Sequence, residues 1–477
     1  MAVQGILGAF DTIYHHELSE ALPQRMNARL ELSIHAIRSL LYSLLFIGLA
    51  GWQWNGVFAV LLVCLLGIEI VLTLWDFVVE DRTRLLPATE RITHTILAMN
   101  GGAFVCLLIL NIPLWLSAST ELVFVWHGGL SWFLVLCGVG VGMSGLRDSF
   151  AARALARFAT SEEQKSLEQV HFSDHAEHVL ITGATGFVGQ NLIKALLKNG
   201  QQVTVLTRDA KRAAWIFGGG LRCISSLDEL PSKQKIDVVI NLAGARILGW
   251  RWTQKRQAVL LKSRVETTKN IVSWIARTEQ PPRLLLSASA IGYYGIQEQN
   301  ATETLNENSP AQAIFMSQLC QEWEAAAHAA KAYGVVVACM RFGLVLGQQG
   351  ALPMLLLPIK LGLGGALGGG RQVISWIHVH DVIRGIAHLW HLSPTGGEGA
   401  YNFTAPQALT QAQFSQTAAA ILHRPYWIPT PGFPMRLVLG EQADLLLEGQ
   451  RVYPERLLGQ GWTFTYPDLK SALLSLV

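Results

Sequence analysis

Two groups of residues in this 477-residue sequence have types and spacings suited to chemistry. The first is the glycine run Gly183, Gly186 and Gly189, which follows directly on the apolar, β-branched stretch His178–Thr182. A strand that ends in such a turn and opens a helix can hold a dinucleotide. The first glycine permits the tight turn, the second lets backbone approach a pyrophosphate, and the third lets the helix pack on the strand. Thr185, Phe187 and Val188 belong to the same turn and helix start. Free N–H groups and the positive end of the helix dipole meet phosphate there. An amphipathic stretch over Asn191–Asn199, closed by Gly200, and a second strand over Val203–Arg208 complete the unit. The end of that strand selects between cofactors. An NAD site usually places an acid there for the ribose hydroxyls, but here Arg208 is followed by Lys211 and Arg212, with no acid before Asp209. A guanidinium suits a 2′-phosphate, so the expected cofactor is NADP(H).

The second group is three acid–histidine pairs, Asp11/His15, Glu31/His35 and Glu90/His94, each spaced so that both side chains share one helical face. Glu69, Asp76, Glu80 and Asp81 lie between the second and third pairs. Carboxylates and imidazoles projecting from a four-helix bundle are how di-iron and related centres are built, usually with Glu-x-x-His spacing. Two readings stay open. One is a metal or redox centre with His15, Glu31, His35, Asp76, Glu80, Glu90 and His94 as ligands. The other is capping and ion pairing with nearby arginines at a membrane interface.

The elements that must carry these groups differ along the chain. Half of the residues are hydrophobic (51%) and few are charged (15%), and the excess concentrates before about residue 150. Four apolar runs, Ala36–Trp54, Val57–Val79, Thr95–Leu116 and Leu130–Leu146, each approach the roughly 20 residues that cross a bilayer as a helix. Gly138, Gly140, Gly142 and Gly145 in the last run are expected to let it pack inside a bundle. The loops Gln53–Gly56 and Ser117–His127 carry no Lys or Arg, while Arg25, Arg29, Arg82, Arg84, Arg91, Arg147, Arg153 and Arg157 gather on the other side. That asymmetry predicts a multi-pass protein of the cell (inner) membrane, with the lipid bilayer as partner and both termini in the cytoplasm. The N-terminal residues do not read as a cleaved signal peptide. A net charge of +3 without a basic stripe argues against nucleic acid as a partner. Six cysteines without a CxxC pair indicate neither a zinc knuckle nor a disulfide framework. The expected layout is a membrane domain over 1–158, a linker over 159–176, a dinucleotide domain over 177–405 and a substrate-side domain over 406–477.

Four later segments agree in order with one superfamily: Ile236–Gly244 (IDVVINLAG), Ser287–Gly295 (SASAIGYYG), Met340–Gly347 (MRFGLVLG) and Trp376–Asp381 (WIHVHD). They resemble the extended short-chain dehydrogenases/reductases. RWT at Arg251–Thr253, KSRVETT at Lys262–Thr268, Trp323–Glu324, Gly362–Gly365 and Leu446–Trp462 are similar to its atypical, epimerase-like branch. The resemblance covers about residues 177–477. It implies an α/β Rossmann fold, a doubly wound parallel sheet with a small C-terminal α/β substrate domain, here preceded by an all-α four-helix transmembrane bundle. It also implies an oxidoreductase acting on a small-molecule substrate, with an NAD(P)-dependent epimerase/dehydratase as the rival. Thr207 would join Arg208 at the 2′-phosphate, and Leu242, Ala243 and Gly244 would line the adenine–ribose side. Arg264 would meet the cofactor from the family's fourth helix, and Leu344 would reach the nicotinamide amide through its main chain.

The superfamily's Tyr-x-x-x-Lys pair falls on AIFMSQLCQEWE, where Phe315 and Leu319 occupy the two positions and neither titrates. Tyr293 and Tyr294 are the remaining acid candidates, with Ser289 at the superfamily's serine position. Three outcomes stay open: another proton donor, a hydride acceptor that needs no strong acid, or NADP(H) binding without turnover as a regulatory module. Asp381 is expected to cap the helix after the strand that holds His378.

Overall fold

The computed structural model of the chain describes residues 2–11, 29–83, 88–159, 169–231, 233–247, 251–298, 303–393 and 396–477. Two compact units, Met1–Ser161 and Glu162–Val477, each have their own internal contacts.

The first unit is helical: α1 (Ala2–Phe10), α2 (Arg29–Gly51), α3 (Val57–Thr83), α4 (Ala88–Ser117) and α5 (Gly129–Ala159). The last four are long and apolar enough to cross a membrane. They are apolar around most of their circumference, so their outer sides carry Val57, Val71, Met99, Leu110 and Leu136, all exposed. Only 6% of the most apolar stretch of α4 is buried, which leaves a surface that needs an apolar solvent or partner. Packing between such helices depends on close approach. A Cβ at Gly138, Gly142 or Gly145 of α5 would come within 2.7–2.8 Å of Ile47, Ser43 or Ser39 of α2, while Gly140 faces open space. Three of the four glycines expected to pack therefore do so. At one end of the unit, β1 (Trp52–Trp54) pairs antiparallel with β2 (Leu122–Phe124). Trp52, Phe124, Trp126 and Trp132 form consecutive ring contacts there.

The second unit is built on β3 (His178–Thr182), β4 (Gln202–Leu206), β5 (Arg222–Ile224), β6 (Val238–Asn241), β7 (Leu284–Ala290), β8 (Val336–Phe342), β9 (Leu344–Leu346), β10 (Val373–Ile374), β11 (Trp376–His378), β12 (Gly399–Phe403) and β13 (Leu409–Thr410). Seven of these form one sheet in the order β12-β8-β7-β6-β3-β4-β5, with every neighbouring pair parallel. The central strands read as unbroken apolar runs because helices cover both faces. The chain leaves β3 toward β4 and β5 and then returns to β6. The point where the order reverses, between β3 and β6, is where an open α/β sheet binds its ligand.

A smaller core joins Leu346, Leu352, Leu356 and Trp376 to Phe414, Leu469 and Leu473. The C-terminal lobe thus draws on residues 344–376 as well as on the stretch expected after residue 405.

One expectation is corrected. The cap of the helix Val379–Leu392 is His378, whose Nδ1 accepts the N–H of His380 at 3.0 Å. Asp381 lies inside the first turn, fully buried, and accepts the N–H groups of Thr465 (2.8 Å) and Tyr466 (2.9 Å). The imidazole reaches the cap position from the strand's last residue, which frees the carboxylate to tie down the C-terminal segment.

Burial, and then the adjacent His380, push the His378 imidazole from the usual 6.5 down to about 3. Between those pH values the unfolded chain binds a proton that the folded chain does not. This contribution to stability is complete above pH 6.5 and is lost as pH falls toward 3, by at most about 1.4 kcal/mol per pH unit. His378→Asn, which keeps a capping side chain, is expected to flatten that part of the profile. Melting of the full chain in detergent at about pH 7.5 and about pH 5 checks it; an equal loss in both proteins would contradict the assignment.

Candidate functional site

The glycine turn after β3 and the turn after β6 meet at the switch point. Gly183 has φ +70, and a Cβ there would lie 2.4 Å from the Leu242 carbonyl oxygen, so only glycine allows the two turns to touch. A Cβ at Gly189 would lie 2.4 Å from the Gly183 carbonyl oxygen, which is why the helix α6 (Phe187–Lys198) can begin against the turn. That helix starts four residues before the expected Asn191, because the first turn is Phe-Val-Gly. Gly186 precedes it with extended backbone and no side-chain cap. The first-turn N–H groups of Phe187 and Val188, with Thr185 in the turn before them, therefore remain available to an anion.

Beyond β4, Thr207 is half-buried and Arg208 is exposed. Among the described residues Arg208 makes no hydrogen bond or ion pair. The nearest acid is diverted: Asp209 caps the helix α7 (Ala210–Ile216) by accepting the N–H of Arg212 at 2.9 Å.

Under the turn Leu242–Ala243–Gly244 sits Asn241, fully buried. Its Oδ1 accepts from the Thr182 hydroxyl (2.6 Å), and its Nδ2 donates to Thr268 Oγ1 (2.8 Å) and Ser287 Oγ (3.3 Å). One side chain thereby ties β3, β6 and β7 together at the ligand end of the sheet. Arg264 lies in a π-helical turn, Lys262–Glu266, between the helices α8 (Gln254–Leu261) and α9 (Thr267–Ile275). Its guanidinium donates to the carbonyls of Leu260 (3.1 Å) and Ala245 (3.0 Å) and lies 5.3 Å from the Trp323 ring. A Cβ at Gly244 would stand 3.0 Å from it. Burial pulls its pKa down to about 10, and no carboxylate pairs with it among the described residues. A desolvated guanidinium held by carbonyls beside this turn fits the anionic part of a dinucleotide. Leu344 opens β9, and its N–H is spent on the Ser375 carbonyl at 2.9 Å, so a main-chain contact from this residue to a ligand would have to use its carbonyl.

The two tyrosines proposed as acids and Ser289, at the superfamily's serine position, separate. Ser289 donates to Glu324 at 2.7 Å. Glu324 is gripped by Arg341 through two hydrogen bonds of 2.8 Å. Arg341 also donates to the Tyr294 hydroxyl (2.9 Å), which itself donates to Asn402 (2.7 Å). Burial pushes the Tyr294 phenol up to about 12. Ser289 and Tyr294 are therefore parts of a closed, buried network, and neither offers a proton to a substrate. Tyr293 is half-buried, with the Arg341 guanidinium 3.5 Å over its ring, and its hydroxyl has no partner among the described residues. Where the superfamily keeps its Tyr and Lys, Phe315 packs edge-on against Trp252 at 5.6 Å, and Leu319 is buried with Leu260 and Met316. Sequence reasoning had Asn241, Glu324 and Arg341 only as parts of family motifs, without a role, and missed Asn402. The signal for the first was a polar residue closing an apolar strand.

In the helical unit, six of the seven residues proposed as metal ligands lie at the end opposite β1 and β2; His15 falls outside the described residues. His35 Nε2 stands 3.0 Å from Asp76 Oδ2 and 3.6 Å from Glu80 Oε1. Arg38 pairs with Asp76 and approaches Glu69 at 3.7 Å.

A seven-stranded parallel sheet with two glycine-dependent turns facing each other at its switch point defines an NAD(P)-binding domain of the short-chain dehydrogenase/reductase type. Residues 179–402 match the NAD dependent epimerase/dehydratase family, and residues 430–476 match a domain of unknown function, DUF1731. The epimerase family protein YfhF of Bacillus subtilis is 37% identical over 63% of this chain and 98% of its own length. The mouse epimerase family protein SDR39U1 is 38% identical over 63% of this chain and 99% of its own length. The crystal structure of human SDR39U1 with NADPH is 35% identical, with a TM-score of 0.55 over 62% of this chain and 97% of that one. The chain belongs to this epimerase family.

The buried ion pair generates a prediction. Arg341→Leu leaves Glu324 buried without its cation and is expected to cost about 3–5 kcal/mol, whereas adding Glu324→Leu is expected to recover most of that loss. Chemical denaturation of the full chain measures both; a loss below about 1 kcal/mol in the single variant would contradict the network.

Proposed function

We propose that the protein is a membrane-anchored, NADP(H)-dependent oxidoreductase whose dinucleotide domain lies in the cytoplasm. The observation that carries the cofactor is Arg208, exposed beyond β4 and unpartnered among the described residues, with Asp209 committed to a helix cap. The NADPH in the structure of the human relative supports the same choice. In this reading Arg208 and Thr207 hold the 2′-phosphate, while the turn at Gly183–Gly189 and the start of α6 hold the pyrophosphate. Arg264 completes the anionic side.

Membrane anchoring is supported by four apolar helices with exposed apolar sides and by aromatic rings gathered at the β1–β2 end. Arg29, Arg82, Arg91, Arg147 and Arg153 belong to the opposite end, which is therefore the cytoplasmic one.

When bound, NADPH supplies a hydride. Phe315, Leu319, Met316 and Trp252 form an apolar cluster at the positions where the superfamily keeps a proton donor, and its partly exposed members, Phe315 and Trp252, present an apolar surface. Such a surface suits an apolar acceptor that takes its proton from solvent, as a quinone does, rather than a sugar. The same surface favours a second reading, an NADP(H)-binding module without turnover.

Purified full-length protein in detergent, given NADPH and a panel of quinones and carbonyl compounds, distinguishes them. Oxidation of NADPH by a quinone, with slower oxidation by the carbonyls, is expected. Binding of NADPH with no oxidation by any member of the panel would refute the oxidoreductase and leave the binding module.

A further inference from the structure

A second constellation, which does not depend on the dinucleotide reading, lies at one end of the helical unit. Glu31 and His35 come from the first turns of α2, Glu80 from the end of α3, Glu90 and His94 from the first turns of α4, and Asp11 directly follows α1. They form two sets of three, Glu31–His35–Glu80 and Asp11–Glu90–His94, and within each set one ligand atom per residue lies within 4.8 Å of the others. Five of the six are buried, and His94 is nearly so. Each set contains one imidazole and two carboxylates. In each, a Glu and a His spaced four apart on one helix supply two of the three donors.

Glu80 lies between the sets. Its Oε1 stands 3.6 Å from His35 Nε2, and its Oε2 stands 3.4 Å from His94 Nδ1. One carboxylate thus presents a different oxygen to an imidazole of each set, which is how a carboxylate bridges two ions. Asp11 Oδ2 stands 3.1 Å from the other nitrogen of His94.

We propose that these residues hold a dinuclear centre of divalent first-row transition ions, bridged by Glu80 between His35 Nε2 and His94 Nδ1, with Asp11 orienting His94 from its Nε2. The donor set selects the class of ion: imidazole with carboxylate suits iron, manganese or zinc, whereas magnesium and calcium prefer oxygen alone and copper(I) prefers sulfur. Asp76 stands outside both sets. It pairs with Arg38 and lies 3.0 Å from His35 Nε2, the same nitrogen that faces Glu80 Oε1. Phe77 stacks on His94 at 5.7 Å and covers the second set.

The test uses the full-length protein in detergent, stripped with a chelator and reloaded separately with Fe(II), Mn(II) or Zn(II), with metal counted by mass spectrometry. About two equivalents of at least one ion are expected, and the manganese form is expected to show an exchange-coupled electron paramagnetic resonance spectrum. Glu80→Gln is expected to lower the content to about one equivalent or less and to abolish the coupling, with elution as a single species showing that the bundle is intact. If that variant does not fold, the stoichiometry and spectrum of the unaltered protein still decide the matter. Less than about a tenth of an equivalent of all three ions in intact protein would overturn the proposal and leave histidine–carboxylate ion pairing. A single uncoupled ion would overturn the bridged centre.

Discussion

The contact between the Gly183 turn and the Leu242 carbonyl is the constraint on which the dinucleotide unit depends. It sits where the strand order reverses, and it brings the two turns closer than any side chain would allow. Because Gly183 and Gly189 have no Cβ, the start of α6 lies against the end of β3 with its N–H groups uncapped. Asn241 then fixes the second turn from below by bonding to the strands on either side. Arg264 and Arg208 add positive charge from two further segments. A phosphate-rich ligand is thus met by backbone dipoles and guanidinium groups that the fold arranges before the ligand arrives.

Binding and chemistry are separable in this unit. The groups that would hold a dinucleotide are present, while the positions of the usual proton donor and its lysine belong to an apolar cluster. The nearby polar residues do not replace them. Ser289 and Tyr294 are closed into the Glu324–Arg341 ion pair, which serves the packing of β7, β8 and the helix Phe315–His328. Removing one member of a buried pair of this kind costs far more than replacing both by apolar residues, because the remaining charge is left buried alone. The same polar residues that resemble a catalytic set therefore act as framework.

The sequence made some of this plain and hid the rest, for physical reasons. The strand His178–Thr182 could be read to its ends because a β-branched run stops at a glycine. The four long helices were visible from hydropathy, but not their ends: α4 begins at Ala88 rather than Thr95, because its acid–histidine turn is helical without being apolar. Arg341 and Glu324 were invisible as a pair, since they come from different elements and each looks like a solvated charge in its own segment. His378 takes the capping task expected of Asp381, and Asp381 holds the C-terminal segment instead, because only the fold brings residues 465–466 beside the helix start. Glu80 was a ligand candidate alongside Asp76, but its position between two histidines was hidden, because three helices set it at once.

The central claim is that the crevice between β3 and β6 is built for a dinucleotide carrying a 2′-phosphate, read by Arg208. Calorimetric dissociation constants for NADPH and NADH on the full-length protein test it most directly. Tighter binding of NADPH by about tenfold or more is expected, and Arg208→Asp should remove that preference. Equal affinities, or tighter binding of NADH, would contradict the account.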